Sequence, residues 1–398
     1  MTMDEQLIQF INCRILRDHI LVKDDLWVRN GKIVNPEQVF FDERRSSDVQ
    51  IDCHGCIIAP GFIEAQINGA FGIDFSNLGE NYEQEILTIS KGLLQHGVTS
   101  YCPTMVTSPV EVYHKIIKNI QRHPGGKHGA TVLGLHLEGP FINVEKKGAH
   151  PPHCIKELSN GFKTLMDTYG SIDNVSLITL APELPNALEV IKELTARGIV
   201  TSVGHSMSNL LEGEAAVKEG ASLITHLFNA MLPFHHRDPG LVGLLQSHNI
   251  PAGRTIYFGI IPDGIHTHPA ALRIAYKAHP EGLVIVTDAI SAMGLQEGTH
   301  NIGQFLIDIK NGRACIAGTE TLCGSIATMN ECVQKFHRET ACTKEFALEA
   351  ASLHPAKALG ISDRKGCLDF GCDADLVFVD DELNLISTWI AGECVYKV

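Results

Sequence analysis

The sequence predicts an α/β protein: a (β/α)8 TIM-type barrel with a small β-sandwich module formed by both termini. In the middle of the chain, eight apolar strand-like segments alternate with helical ones, which is the pattern of a parallel barrel. Both ends carry only short segments that alternate apolar and polar residues. We therefore place the β module at residues 1–59 with 358–398, and the barrel at residues 60–357.

The two ends have the same character. Near the start, "DDLWVRNGKIV" alternates apolar and polar residues around Asn30-Gly31, a pair typical of a tight hairpin. Near the end, "LISTWIAGECVYKV" does the same around Ala391-Gly392. Since neither end holds a long helical pattern, we expect the two to pair into one module.

The barrel strands are predicted from short runs rich in Val, Ile and Leu. They are "PGFIEAQIN", "VTSYCPTMV", "TVLGLHLEG", "VSLITLAPE", "GIVTSVGHS", "ASLITHLFN", "TIYFGIIPDG" and "GLVIVTDAI". Helical segments such as "EQEILTISKGLLQHG", "LLEGEAAVKEGA" and "HPAALRIAYKAHPEG" lie between them.

Composition restricts the class of protein. Of the 398 residues, 44% are hydrophobic and 20% are charged, as in globular enzymes, and the net charge is −14. An acidic chain argues against a general nucleic-acid or membrane surface but allows a local site for a small anion. No apolar run reaches the roughly 18 residues of a membrane span. Asp4 and Glu5 stand where a signal peptide would be basic, so we expect a cytoplasmic protein.

The 12 cysteines are scattered without a framework spacing, which predicts reduced thiols. Cys53 and Cys56 form one CxxC, but no second pair follows at the spacing of a zinc site. A turn is the better interpretation of that segment.

Four polar residues stand late in predicted barrel strands: Glu138, His205, His226 and Asp288. Any one of them could be a hydrogen-bonded polar residue at a strand end. Because all strands of such a barrel end on one face, four together indicate a common pocket. One carboxylate and two imidazoles suit zinc or a similar divalent cation, with a position left open for catalysis. Asp288 is then placed as a general base, and the site suits hydrolysis of an amide or ester.

At these residues the sequence resembles the amidohydrolase superfamily and, within it, the deacetylases of phosphorylated amino sugars. The resemblance covers nearly the whole chain. It is carried by "APGFIEAQING", "GLHLEGPFI", "KKGAHP", "GHS", "THLFNAM", "RDPG", "DGIHT", "VTDAI" and "GTETLCGS", in matching order and spacing. It implies a barrel with a β module from both termini. It also implies hydrolysis of N-acetylglucosamine 6-phosphate to glucosamine 6-phosphate and acetate.

The resemblance also implies roles for individual residues. Glu138, His205 and His226 would bind one divalent cation per subunit, Asp288 would be the catalytic base and acid, and His150 would polarise the acetyl carbonyl. The remaining substrate contacts would come from Ala149, Asn229, Ala230, Asp263, His266, Leu322, Cys323 and Gly324. Arg237 would reach the phosphate in the neighbouring subunit, which implies a homodimer.

One segment departs from the wider superfamily. Many amidohydrolases carry His-x-His at the end of the first barrel strand, whereas this chain has Gln66 and Asn68. An amide is a poor metal ligand, so a single-metal site is expected, which Gln66 touches weakly or through water. Zinc is the expected metal, and Fe, Mn or Co also suit the ligands.

Other polar residues have simpler interpretations. His136 and Glu64 are predicted to support the site from the barrel interior or to be buried there. For His235 and His236 a surface or capping role is expected, and the alternative for Arg237 is a salt bridge with Asp238.

Two further functions stay open. One is another single-metal amidohydrolase, acting on a cyclic amide or an N-acyl amino acid. The other is a barrel without catalysis that serves as a scaffold, whose sign would be the loss of Asp288 or of a metal ligand. All four core residues are present.

Overall fold

A computed structural model of the chain describes residues 6–302, 305–320 and 322–398. Its centre is a barrel of eight parallel strands, one from each predicted segment. Their bounds are Phe62–Ile67, Val98–Val106, Leu135–Glu138, Val175–Leu180, Val200–Val203, Leu223–Ile224, Tyr257–Ile260 and Leu283–Ile285. Each strand pairs in parallel with the next along the chain. The barrel prediction is confirmed.

The barrel closes between its first and last strands at a single parallel bridge, Ile67 with Ala289. Beside it, the Asp288 N–H donates to the Gln66 carbonyl at 3.0 Å, and the Asn68 N–H donates to the Ala289 carbonyl at 2.8 Å. Closure therefore occurs next to Asp288.

Helices cover the barrel and bury its outer face in one large apolar core. The α-helices are Tyr82–Leu93, Val110–Asn119, Phe162–Tyr169, Ala187–Ala196, Leu210–Glu219, Pro269–Ala278, Met329–Thr340, Lys344–Glu349 and Leu353–Ala358. Shorter helical turns are Gln38–Asp42, Phe75–Asn77, Leu94–His96, Val144–Lys146, Pro152–Cys154, Gly240–Gln246 and Pro280–Gly282. The helix Leu210–Glu219 begins with a capping box, in which Asn209 and Glu212 each satisfy the other's backbone N–H.

The two ends of the chain form the predicted β module as two packed sheets. The six-stranded sheet has the order Glu393–Lys397, Leu385–Ile390, Leu376–Val379, Ile57–Pro60, Arg14–Arg17 and Ile20–Lys23. The four-stranded sheet has the order Lys32–Ile33, Leu26–Arg29, Ile8–Ile11 and Val49–Asp52. Between them, the ring of Phe10 lies edge-on to Phe378 and Trp389, with centroids 5.5 and 5.2 Å apart.

One element was not predicted. After the eighth barrel strand, an antiparallel sheet comprises Gly298–Ile302, Phe305–Lys310, Arg313–Ile316 and Leu322–Gly324. Two further short strands, Gly69–Ala70 and Ile73–Asp74, form a hairpin after the first barrel strand, and Thr131–Val132 pairs with the second. In the described part of the chain, none of the helices combines the length and apolar character needed to cross a membrane.

Candidate active site and metal centre

Three of the four predicted core residues hold a backbone conformation that L-residues rarely adopt. His205, His226 and Asp288 have φ angles of +48°, +28° and +47°. Each stands two or three residues after the end of a barrel strand. Strained, left-handed residues of this kind cost free energy and are held by their surroundings, most often at functional sites. Here the turn redirects each side chain at the carboxyl end of its strand.

These turns bring the predicted metal ligands together. Glu138 Oε1 lies 3.1 Å from His205 Nε2 and 3.1 Å from His226 Nε2, and the two Nε2 atoms are 3.0 Å apart. All three residues are almost fully buried. His205 Nδ1 lies 2.7 Å from the Lys146 carbonyl oxygen, which can only accept, so Nδ1 carries a proton. The other ring nitrogen, Nε2, faces Glu138 and His226 and is the atom of His205 that could bind a cation there.

The electrostatics of this group favour a bound cation. Burial opposes ionisation of Glu138, yet hydrogen bonds and charge interactions with the two histidines hold its pKa well below the ordinary value. Burial also disfavours the charged form of His226, but the hydrogen bond and charge of Glu138 raise the pKa of His226 to about 9. The buried carboxylate thus stabilises positive charge at Nε2, whether a proton or a metal supplies it.

The residues fit a divalent cation. One carboxylate oxygen and two imidazole nitrogens converge from three strands, which is a donor set that zinc and related ions prefer. Glu138, His150 and His205 also offer ligand atoms within 4.8 Å of one another. The contacts among Glu138, His205 and His226 are shorter, at 3.0–3.1 Å.

His150 is placed to donate a hydrogen bond. Its Nδ1 lies 2.7 Å from Thr107 Oγ1 and accepts from the Thr107 N–H at 3.3 Å. A backbone N–H can only donate, so the proton of a neutral ring sits on Nε2. Burial and the neighbouring His205 lower the pKa of His150 to about 3, which keeps the ring neutral. His150 therefore has an Nε2–H group available to a substrate oxygen.

Asp288 lies beside the ligand cluster and is held by two side-chain amides at the carboxyl end of the first barrel strand. Its Oδ1 accepts from Asn68 Nδ2 at 2.7 Å and from Gln66 Nε2 at 3.3 Å. Gln66 Nε2 also donates to Glu138 Oε1 at 3.0 Å, so its amide links the two carboxylates. Burial, with the charge of Glu138, raises the pKa of Asp288 to about 6. That value suits a group that accepts and returns a proton near neutral pH.

Asp263 and His266 form a tight pair in the loop after the seventh strand. His266 Nδ1 lies 2.5 Å from Asp263 Oδ2, while Asp263 Oδ1 accepts from the Ile265 and His266 N–H groups at 2.8 and 2.7 Å. Despite burial, His266 keeps the pKa of Asp263 below its ordinary value. Asp263 thus orients His266, and the other nitrogen of that ring can meet a substrate.

His136 and Glu64 lie inside the barrel, as predicted. His136 uses both ring nitrogens, 3.3 Å from Thr104 Oγ1 and 2.8 Å from Thr179 Oγ1. The carboxylate of Glu64 accepts from the N–H groups of Gln66 at 3.1 Å and Thr287 at 3.2 Å. Glu64 therefore joins the first strand to the residue that precedes Asp288.

The predicted anion contacts lie on the loop after the sixth strand. Asn229 and Ala230 are half-buried, and Ala230 has a φ of +50°. Arg237 is exposed, and among the described residues it forms no ion pair. The structure forms no ion pair between Arg237 and Asp238 in the described part of the chain, and Asp238 Oδ1 instead accepts from the N–H groups of Leu210 and Gly240, each at 3.1 Å.

Other predicted contacts are more peripheral. His235 and His236 are exposed, with ring centroids 4.5 Å apart, and Ala149 is exposed beside His150. Leu322, Cys323 and Gly324 form the last strand of the unpredicted sheet. Ser325, which follows them, bridges in parallel to Ala289 and so brings this strand to the Asp288 end of the barrel.

Three supporting groups were not predicted from the sequence: Asn68 at Asp288, Thr107 at His150, and the Lys146 carbonyl at His205. Asn68 could have been found, because residues 66 and 68 share one face of a strand. The other two are contacts between separate loops, for which the sequence carries no periodic signal.

Comparison with known proteins agrees with this geometry. The model of the amidohydrolase family matches residues 57–395. N-acetylglucosamine-6-phosphate deacetylases of Danio rerio and Homo sapiens are 58% and 56% identical, covering 99% and 98% of this chain and 98% and 96% of theirs. Crystal structures of the deacetylases from Thermotoga maritima and Pasteurella multocida superpose with TM-scores of 0.81 and 0.82. The Thermotoga maritima enzyme is 29% identical, and the match covers 98% of this chain and 100% of that structure. The Pasteurella multocida enzyme is 30% identical, and the match covers 98% of this chain and 99% of that structure.

Proposed function

The chain belongs to the amidohydrolase family, and from that premise we propose that it hydrolyses N-acetylglucosamine 6-phosphate to glucosamine 6-phosphate and acetate. The observation that carries this proposal is the meeting of Glu138, His205 and His226 within 3.1 Å beside Asp288. Relatives that share more than half of its residues bear the name of this deacetylase.

Glu138, His205 and His226 would hold one divalent cation, and zinc is the ion we propose. When bound, such a cation supplies Lewis-acid chemistry, since it activates a water molecule and polarises an amide carbonyl. Gln66, whose amide contacts both carboxylates, would orient the water without serving as a strong ligand.

The proton transfers fall to Asp288. As a carboxylate it accepts a proton from the attacking water, and it then donates that proton to the leaving amino group of the sugar. Asn68, at 2.7 Å, holds the carboxylate in place during both steps. The Nε2–H group of His150 donates to the acetyl oxygen as negative charge develops there, which is the role of an oxyanion donor. His266 would hydrogen-bond a sugar hydroxyl.

The phosphate would be bound by Asn229, Ala230 and Arg237. Arginine suits a phosphate because its planar group can donate two parallel hydrogen bonds. As the family resemblance implies, we propose a homodimer in which Arg237, which is exposed in the single chain, reaches the active site of the second copy. Ala149 and residues 322–324 would line the sugar pocket. We also propose a cytoplasmic location, which the scattered spacing of the 12 cysteines favours.

The test is acetate release from N-acetylglucosamine 6-phosphate by the zinc-loaded protein. Unphosphorylated N-acetylglucosamine and a chelated sample are the controls. Metal-dependent release from the phosphorylated sugar alone is the expected result. If acetate is released from neither sugar by protein with zinc bound, the proposal is wrong.

A further inference from the structure

We propose that Glu183 is a positioning residue for the metal centre, because it joins the turn that carries His205 to the loop that carries His150. This inference rests on the proposed function, since it concerns affinity for the cation. We call residues 205–208 the His205 turn and residues 140–150 the His150 loop. Glu183 belongs to neither segment, and it is not one of the proposed metal ligands.

The contacts of Glu183 use both carboxylate oxygens. Oε1 accepts from the Met207 N–H at 2.7 Å and from Asn143 Nδ2 at 3.0 Å. Oε2 accepts from the hydroxyls of Ser206 and Ser208 at 2.7 and 2.8 Å. A carboxylate has about four acceptor sites, so this one is fully used by its neighbours. Glu183 therefore joins two loops through its hydrogen bonds. Its side chain is only partly buried.

The two loops that it joins meet at His205 itself. The Asn143 N–H donates to the His205 carbonyl at 2.8 Å, and His205 Nδ1 donates to the Lys146 carbonyl at 2.7 Å. The second bond is the one that sets the tautomer and leaves Nε2 free for a cation. If the His150 loop shifts, that bond is lost and both the orientation and the tautomer of the ring change.

The His205 turn needs such support because of its conformation. His205 has a φ of +48°, which a non-glycine residue holds only when its surroundings impose it. Glu183 binds three successive residues directly after it, Ser206 to Ser208. The Ser206 N–H also donates to the Ala230 carbonyl at 3.1 Å, so the same turn supports the proposed phosphate loop. Glu183 therefore acts on the ligand through the backbone.

A merely structural role would have a different consequence. If Glu183 only ties two loops to the surface of the fold, its loss lowers the stability of the chain but leaves the zinc affinity of the folded protein unchanged. Zinc affinity, measured by competition with a chelating indicator well below the unfolding temperature, separates the two roles.

The experiment compares zinc dissociation constants of the full chain and of E183A, E183Q and the control E145Q. Glu145 is an exposed glutamate of the same loop. We expect E183A to weaken zinc binding about 10- to 100-fold, as loss of a group that orients a ligand does. E183Q keeps one oxygen for Met207 and Asn143, so its loss should be smaller than that of E183A, and E145Q should match the wild type.

A zinc affinity within twofold of the wild type in folded E183A overturns the inference. If E183A does not fold, E183Q decides in the same way, and a wild-type affinity in that variant overturns it. A wild-type chain that binds no zinc would instead overturn the zinc site of the proposed function, and a zinc-loaded wild type that releases no acetate would overturn the proposed reaction, so these failures are distinguishable from failure of the inference.

Discussion

Replacement of Asp288 by asparagine removes the proposed proton carrier while preserving its shape. The oxygen that accepts from Asn68 at 2.7 Å is retained, so the side chain keeps its position. What is lost is a group with a pKa of about 6, which is about nine-tenths ionised at pH 7 and able to take a proton. General acid–base catalysis contributes about 100- to 10,000-fold to rates, or about 3–5 kcal/mol of barrier.

The assay is acetate release at saturating substrate, with zinc content measured on the same samples. We expect kcat to fall by that factor while zinc content and substrate affinity are kept. Asp167→Asn, a change at an exposed helical carboxylate, is the matched control and should leave kcat unchanged. A kcat for Asp288→Asn within tenfold of the wild type, at equal zinc content, would refute the role of Asp288.

Three other changes test different parts of the structure. Arg237→Ala should raise KM for the phosphorylated sugar about 10- to 100-fold, which corresponds to the loss of one hydrogen bond from a charged group. An equal rise of KM for the unphosphorylated sugar would contradict phosphate binding by Arg237. Asn68→Leu removes a hydrogen bond that favours the charged form of Asp288, so the pKa of Asp288 should rise. The acid limb of the pH profile of kcat/KM should then move to higher pH. An acid limb that does not move would show that Asn68 does not control the pKa of Asp288. Phe10 is fully buried between the two sheets of the β module, so Phe10→Ala should leave a cavity and lower the free energy of unfolding, measured in urea, by about 3–5 kcal/mol. A loss under 1 kcal/mol would show instead that the surrounding side chains fill that cavity.

Much of the fold could be predicted because its signals are local. Buried parallel strands are continuous apolar runs, and all eight were visible as such. The turns at Asn30-Gly31 and Ala391-Gly392 each contain a glycine, which accepts positive φ readily, and all four residues have positive φ in the structure. The sheet that begins at Gly298 was missed because its strands are short and partly polar, and they lie where a barrel normally has only a loop and a helix.

The candidate site likewise contains residues that could be predicted from the sequence and residues that could not. Glu138, His205, His226 and Asp288 were predicted because each stands near the end of an apolar run, and the geometry of a barrel then brings them together. Asn143, Lys146 and Glu183 were not predicted as supports, because their contacts join loops that are remote in sequence. Such contacts depend on three-dimensional packing, for which a single sequence has no pattern.

Closure of the barrel at Asp288 has a consequence for how the chain acquires activity. The proposed metal ligands stand at the ends of the third, fifth and sixth strands, which lie near one another in sequence. Asp288 is seated only when the eighth strand returns to the first, across more than 200 intervening residues, at the bridge between Ile67 and Ala289. Contacts so distant in sequence form late, because a long loop must first be closed. We therefore expect a folding chain to capture its cation before it can turn over substrate, so that hydrolysis begins only once the ring of strands is complete.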